Sequence, residues 1–286
     1  MTHPYSEPIE KPITNQVYMF SQSIWAKIIA EAKTMQASEP LLSEYIRLCI
    51  LQHENLTQAC SFIFAQKMAS DVMPVEKLEQ LFSEFYQAEP DTIETLAYDI
   101  EAVFERDPAI HSFLTVLLNL KGFQAIQIHR LAHYLWQQDR QDLAVFIQSR
   151  NSQVMAVDIH PACQIGKGVM FDHATGIVVG ETAVIEDNVS ILQSVTLGGT
   201  GNESGDRHPK VRHGVMIGAG AKVLGNIEIG ANAKIGAGSV VLKDVKPHTT
   251  VVGVPAKQVG VPRCQVPCQS MDQNVWDDAE SEETAE

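Results

Sequence analysis

A period of six residues constrains this chain more than any other feature. Ile159, Ile165, Phe171, Ile177, Ala183, Val189 and Val195 fall on one six-residue grid, and Ile217, Val223, Ile229, Ile235 and Val241 on a second. Glycine follows the grid residue at Gly166, Gly218, Gly230 and Gly236. A small or medium residue often stands four places on, as at Thr175, Ala221, Ala233 and Ser239. A period of six suits neither a helix nor a simple strand. It suits a solenoid in which each hexad gives one short flat strand and one turn, three hexads closing a triangular coil of about 18 residues. The grid positions predict about four coils, each burying Val and Ile against its neighbours. Between the grids, residues 198–214 break the period and are rich in Gly and charge. Such an excursion leaves a solenoid core to reach a ligand or a neighbour.

The preceding residues read differently. From 20 to 154, apolar residues recur at helical spacing, as in Trp25, Ile28, Ile29 and Ala32, or Leu78, Leu81, Phe82 and Phe85. Pro40, Pro74, Pro90 and Pro108 divide this stretch into about six to eight helices. Asn55 precedes an apolar run as a helix start, and Asp91 with Glu94 forms a capping-box variant. The expected domains are a disordered N-terminal tail (1–20), an all-α helical domain (21–154), a repeat domain (155–260) and an acidic, solvated C-terminal tail (261–286). Asp272, Asp277, Asp278, Glu280, Glu282, Glu283 and Glu286 crowd that tail.

Net charge is −14, from 35 acids against 21 bases, which argues against binding nucleic acid or anionic lipid. No apolar run approaches the roughly 20 residues that span a bilayer, so no membrane role is expected. The first residues lack the apolar core of a secretory signal. Five scattered cysteines read as free thiols in a reducing cytoplasm. Cys264 and Cys268 form a C-x3-C pair that reads as unremarkable rather than as a metal or redox site.

Particular strings carry a resemblance. VDIHP at 157–161, FDHATGIVVGETAVI at 171–185, SVTLGGTG at 194–201, GDRHPK at 205–210, GVMIGAGAKVLGNI at 214–227 and GVPAK at 253–257 together resemble the serine O-acetyltransferase family of hexapeptide-repeat acyltransferases. HENL at 53–56, RDPA at 106–109 and LKGF at 120–123 extend the resemblance into the helical half, so that it covers residues 22 to 260. It implies an α + β protein, an N-terminal all-α helical domain followed by a left-handed parallel β-helix of hexapeptide repeats. It implies transfer of acetyl from acetyl-CoA to the L-serine hydroxyl, giving O-acetyl-L-serine and CoA, the first step of cysteine biosynthesis, with feedback inhibition by L-cysteine. A homo-oligomer is implied, a trimer or a dimer of trimers. No metal is expected.

The chemistry fits the residues. A serine hydroxyl is a weak nucleophile near neutral pH and needs a base, for which imidazole is suited. His173 is the residue the family uses, with Asp158 as the partner of its other ring nitrogen. Asp158 stands 15 residues before His173, close to one coil repeat, so both are expected near one corner on adjacent coils. By resemblance, Asp107 and Asp172 hold the substrate ammonium, while Arg207 and His208 meet its carboxylate, which a planar guanidinium binds bidentately. Glu181 either supports the site or is a solvated corner. The resemblance also implies a CoA groove between coils of adjoining subunits, where Gly198 and Gly199 admit the pantetheine arm and turn a backbone N–H towards the thioester oxygen. Ala219 and Ala237 keep the CoA groove shallow, and Lys257 meets CoA phosphates or is a surface lysine. Family members that bind cysteine synthase do so through a C-terminal Ile; this chain ends Glu283-Thr284-Ala285-Glu286, which leaves that partnership in doubt.

Three rival readings compete. One is a hexapeptide O-acetyltransferase with a sugar or antibiotic hydroxyl as acceptor. Another is a zinc enzyme of the same fold using His173, His208 and His213. The third is a non-catalytic scaffold that presents the acidic tail.

Overall fold

The computed structural model describes residues 19–201 and 204–275. The expected N-terminal tail, the terminal acidic residues and the C-terminal residue that bears on cysteine synthase lie outside these residues, apart from the tail segment 261–275. Helices run from Met19 to Met155. They are α1 (Met19–Ser38), α2 (Ser43–Ile46), α3 (Leu56–Met68), α4 (Val75–Ala88), α5 (Thr92–Arg106), α6 (Phe113–Asn119), α7 (Lys121–Gln137) and α8 (Gln141–Met155). Asn55 caps α3 as expected, its side chain accepting from the Gln58 N–H. The capping box at Asp91 does not form. Asp91 takes a helical backbone without a side-chain cap, and Glu94 instead accepts from the Ser21 N–H and hydroxyl. A tertiary partner on α1 has outcompeted the local one.

The remaining strands wind into a parallel β-solenoid of three faces. The first face holds β1 (Val157–Ile159), β4 (Ile177–Val179), β7 (Thr196–Gly198), β10 (Lys222–Leu224) and β13 (Val240–Val241). The second holds β2 (Gln164–Ile165), β5 (Val184–Ile185), β8 (Lys210–Val211) and β11 (Glu228–Ile229). The third holds β3 (Met170–Asp172), β6 (Ser190–Leu192), β9 (Met216–Ile217), β12 (Lys234–Ile235) and β14 (Thr250–Gly253), closed by antiparallel β15 (Ala256–Gly260). The first face is five strands deep, so the solenoid makes about five turns rather than the four the grid suggested.

The strand register corrects the first grid. Ile159 pairs with Val179, Ile165 with Ile185 and Phe171 with Ile191. The first coil is therefore 20 residues long, since Val157 pairs with Ile177. Two extra residues enter between Phe171 and Val179, at the corner that carries His173. Beyond that corner the main inward column is Val179, Ile185, Ile191 and Leu197. Ile177, Ala183, Val189 and Val195 continue a second inward column that begins with Val157 and Cys163. Both columns are at most 2% exposed, which hid the slip. Truncating one of these side chains to Ala, as in Ile191→Ala, removes packing worth about 2–5 kcal/mol.

The helices clamp the first coil. Asp99, fully buried, accepts from Gln127, from Arg130 at 2.7 Å and from the Val169 N–H. Arg130 also donates to the carbonyls of Ile165 and Gly166. The segment after β15 is not the free tail expected from its composition. It returns along the solenoid through α9 (Pro267–Ser270), where Cys268 is buried and its N–H donates to the Gly214 carbonyl. The Ser190 hydroxyl donates to the Cys268 carbonyl and accepts from Arg106, which immediately precedes Asp107.

Candidate active site

The sequence-predicted residues gather at two edges of the first face. At the edge where the third face turns into the first, β3 ends on Asp172 and the chain passes through His173, Ala174, Thr175 and Gly176 before β4. His173 and Ala174 both have left-handed backbones, with φ of 53° and 62°. Two successive residues with side chains in that region cost roughly 1–2 kcal/mol each. The His173 ring is turned outward, 75% exposed, with Nε2 3.9 Å from Asp172 Oδ1. Asp172 is part-buried, and burial pushes its carboxyl above the usual carboxylate range. The negative charge of Asp107 adds to that shift, and His173 opposes it. Asp107 ends α5, its carboxylate accepting from the Ala109 N–H at 2.9 Å. Ala219 and Ala237 stand on the same edge in later coils, joined through the Gly238 N–H to the Ala219 carbonyl. The closing hairpin, with exposed Lys257 opposite Val252, turns at this end of the third face.

At the other edge, where the first face turns into the second, the excursion after β7 returns through Arg207 and His208. Thr182 organises them. Its hydroxyl oxygen accepts from the N–H groups of Arg207 and His208, at 3.0 and 3.1 Å. The Thr182 N–H donates to His208 Nδ1, so the neutral ring carries its proton on Nε2. Burial, with Arg207 and Lys210 adding to it, keeps the His208 ring below its ordinary pKa, so it is an uncharged donor near neutral pH. The ring lies against Gly180, where any Cβ would come within 2.0 Å of it. Arg207 Nη2 meets Glu181 Oε2 at 2.6 Å, and this guanidinium holds the Glu181 carboxyl below its usual range. Gly199 abuts Arg207, and Gly198 ends β7.

Asp158 belongs to this second group. It sits on β1 opposite Val178, and Gln148 donates to its Oδ1 at 2.8 Å. Asp158 pairs with Val178, five residues past His173, whereas the expected 18-residue coil would have set it opposite Gly176, three residues past. Among the described residues, the carboxylate within ion-pair distance of His173 is Asp172. Sequence reasoning also missed His160 and Thr182. His160 lies among Asp158, Glu181 and Arg207 with its ring edge-on to Trp136. The histidines of both the VDIHP and GDRHPK strings meet at this edge, a signal that pairing the strings would have found.

No single copy brings the three histidines of the zinc reading together. His173, His208 and His213 stand on three different corners, and His213 lies beside Glu186 on the turn between the second and third faces. Among the described residues no three metal-ligating side chains cluster. A cleft of about 940 Å³ lies away from both edges, between α4, α5, α7 and the second face.

Comparison with known proteins agrees with this architecture. A family model described as serine acetyltransferase, N-terminal, matches residues 24–128, and the bacterial transferase hexapeptide model matches 208–243. A serine acetyltransferase of Salmonella typhimurium is 57% identical over 251 residues, covering 88% of this chain and 92% of that protein. The chain belongs to the serine acetyltransferase family. Its helices followed by a parallel solenoid match the family's solved structures. A serine acetyltransferase in complex with cysteine superposes with a TM-score of 0.87 at 54% identity, covering 89% of this chain and 99% of that one. A serine acetyltransferase from Brucella abortus in complex with coenzyme A superposes at 0.83 and 50% identity, covering 85% and 97%. Among the described residues, no helix is long and apolar enough to cross a membrane.

Proposed function

We propose that this chain transfers the acetyl group of acetyl-CoA to the hydroxyl of L-serine, giving O-acetyl-L-serine and CoA, in a site completed by a neighbouring copy. The observation that carries this reading is the division of complementary chemistry between two edges of one prism. One edge offers an exposed imidazole beside two carboxylates. The other offers a guanidinium and an uncharged buried imidazole. Serine requires all of these: a base for its hydroxyl, anions for its ammonium and a fork for its carboxylate. A cyclic trimer of prisms brings one edge of each copy against the other edge of the next. A dimer of such trimers is the fuller assembly.

In that site His173 takes the serine hydroxyl proton as the oxygen attacks the thioester carbonyl. Asp158 of the adjoining edge holds the other ring nitrogen. A backbone N–H at Gly198 or Gly199 meets the developing oxyanion. Collapse expels the CoA thiolate, which takes the proton from the imidazolium. Asp107 and Asp172 hold the ammonium between them, and this relieves the Asp107 repulsion that adds to the effect of burial on the Asp172 carboxyl. Arg207 and His208 bind the carboxylate. Ala219 and Ala237 line the CoA groove, and Lys257 meets its phosphates.

Cysteine differs from serine by one atom and fits the same groups, and a relative has been solved with cysteine bound. We therefore assign feedback inhibition by L-cysteine to this site. The five cysteines are free thiols, as a reducing cytoplasm keeps them.

The test is thiol release from acetyl-CoA. Serine-dependent release should fall by about 10²–10⁴ in kcat for His173→Ala. Release that sugars support as well as serine, or that survives the substitution, would overturn the reading.

A further inference from the structure

We propose that Lys121 and Gly122, at the start of α7, are positioning residues for His173, so that the helical half fixes the geometry of the catalytic corner. The proposal rests on the assignment of His173 as the base. It begins from a difference between corners. Where the third face turns into the first, the later coils each step six residues, as from Ile191 to Leu197, and use one left-handed residue. Those residues are Ser194, Gly220 and Gly238, with φ of 62°, 73° and 69°. The first of these corners steps eight residues, from Phe171 to Val179. It carries His173, Ala174 and Gly176 in the left-handed region. A longer corner with two such residues in succession keeps one shape only where its surroundings over-determine it.

The solenoid supplies part of that restraint. Gly176 N–H donates to the Ala156 carbonyl, and Ser194 N–H to the Thr175 carbonyl. The helical half supplies the rest. The Lys121 ammonium donates to the Thr175 hydroxyl, two residues from His173. Gly122 lets the helix backbone lie directly on the strand that leads into the corner. A Cβ at Gly122 would fall 1.9 Å from the Phe171 carbonyl oxygen and 3.1 Å from Ala174 Cβ. Ala174 is fully buried in that contact. Glycine disfavours a helix, so its presence in the first turn of α7 is explained by this close approach. Lys121 thus holds the corner from outside, and Gly122 seats it from beneath.

The experiment compares steady-state kinetics of Lys121→Met, which keeps the aliphatic stem without the donor, with Thr175→Val, the double variant and Lys121→Arg. Each single change should lower kcat about tenfold with both KM values within about twofold, because the base is misplaced rather than the substrates. The double variant should be no slower than the singles, and Lys121→Arg should recover to within about threefold of wild type. A kcat for Lys121→Met within twofold of wild type, additive losses in the double variant, or no recovery with Lys121→Arg would overturn the proposal. A second readout does not need turnover. Carbethoxylation of His173, followed by peptide mass, should change in rate by about threefold in Lys121→Met while His213 is unchanged. Equal rates at His173 in the two proteins would overturn the proposal even in a chain that turns over no serine. A wild type without serine-dependent thiol release would overturn the assigned function alone.

Discussion

Arg207 and Glu181 form an ion pair of 2.6 Å at the edge where the first face turns into the second. The guanidinium assigned to the substrate carboxylate therefore already holds an acid. Its placement does not depend on that acid. The Arg207 N–H is bound by Thr182, and Nη1 donates to the Gly205 carbonyl. Glu181 is thus a competitor for the fork. Since part-exposed ion pairs contribute about 0.2–1 kcal/mol, Glu181→Gln should lower KM for serine by up to about fivefold with kcat unchanged. A rise in KM would make Glu181 a positioning partner instead.

Asp172 gives the site an acid limb. Its carboxyl is raised by burial and by Asp107, and it must be ionised to hold an ammonium. The kcat/KM for serine should therefore fall with decreasing pH through a midpoint above the ordinary aspartate range. In Asp107→Asn that midpoint should shift down, because the like charge is gone. An unchanged midpoint in Asp107→Asn would separate the two carboxylates.

The same shift has a consequence for stability. A carboxyl whose folded pKa lies above its unfolded one opposes folding wherever it is ionised, that is, above the raised value, and has no effect below the unfolded value. Asp172→Asn should raise Tm near neutral pH, leave it unchanged in strong acid, and abolish serine turnover. A lower Tm at neutral pH would show that the carboxylate contributes more to packing than its burial costs.

Gly180 tests the seating of His208. An added methyl would overlap the ring, at 2.0 Å from Cδ2 and 2.1 Å from Nε2. Gly180→Ala should cost about 1–3 kcal/mol of stability through overpacking. Its kcat/KM for serine should fall by about 10²-fold as the ring is displaced. Wild-type kinetics in this variant would remove His208 from the site.

Much of the architecture was legible because the solenoid repeats itself and the helices carry caps and prolines. Asn55 and the second grid from Ile217 to Val241 were read correctly from local pattern. Two features resisted. The two-residue slip at His173 was hidden because both inward columns of each hexad are apolar, so Ile177 looks like a grid residue whether or not it is one. The segment through Cys268 looked like tail because its anchors, Ser190 and Arg106, lie far away in the chain. For the site, the family strings named the residues. The resemblance implies a site between two subunits, but which residues each edge contributes was not readable, because that depends on an excursion whose return point only the fold reveals.

The most direct measurement follows from that division. His173→Ala and Arg207→Ala chains, each inactive alone, should be co-expressed in equal amounts and assayed for serine-dependent thiol release. If each site joins one copy's His173 edge to the next copy's Arg207 edge, random association leaves about one site in four intact, and activity should recover to about a quarter of wild type. Mixed assemblies no more active than either variant alone would contradict a site shared between copies.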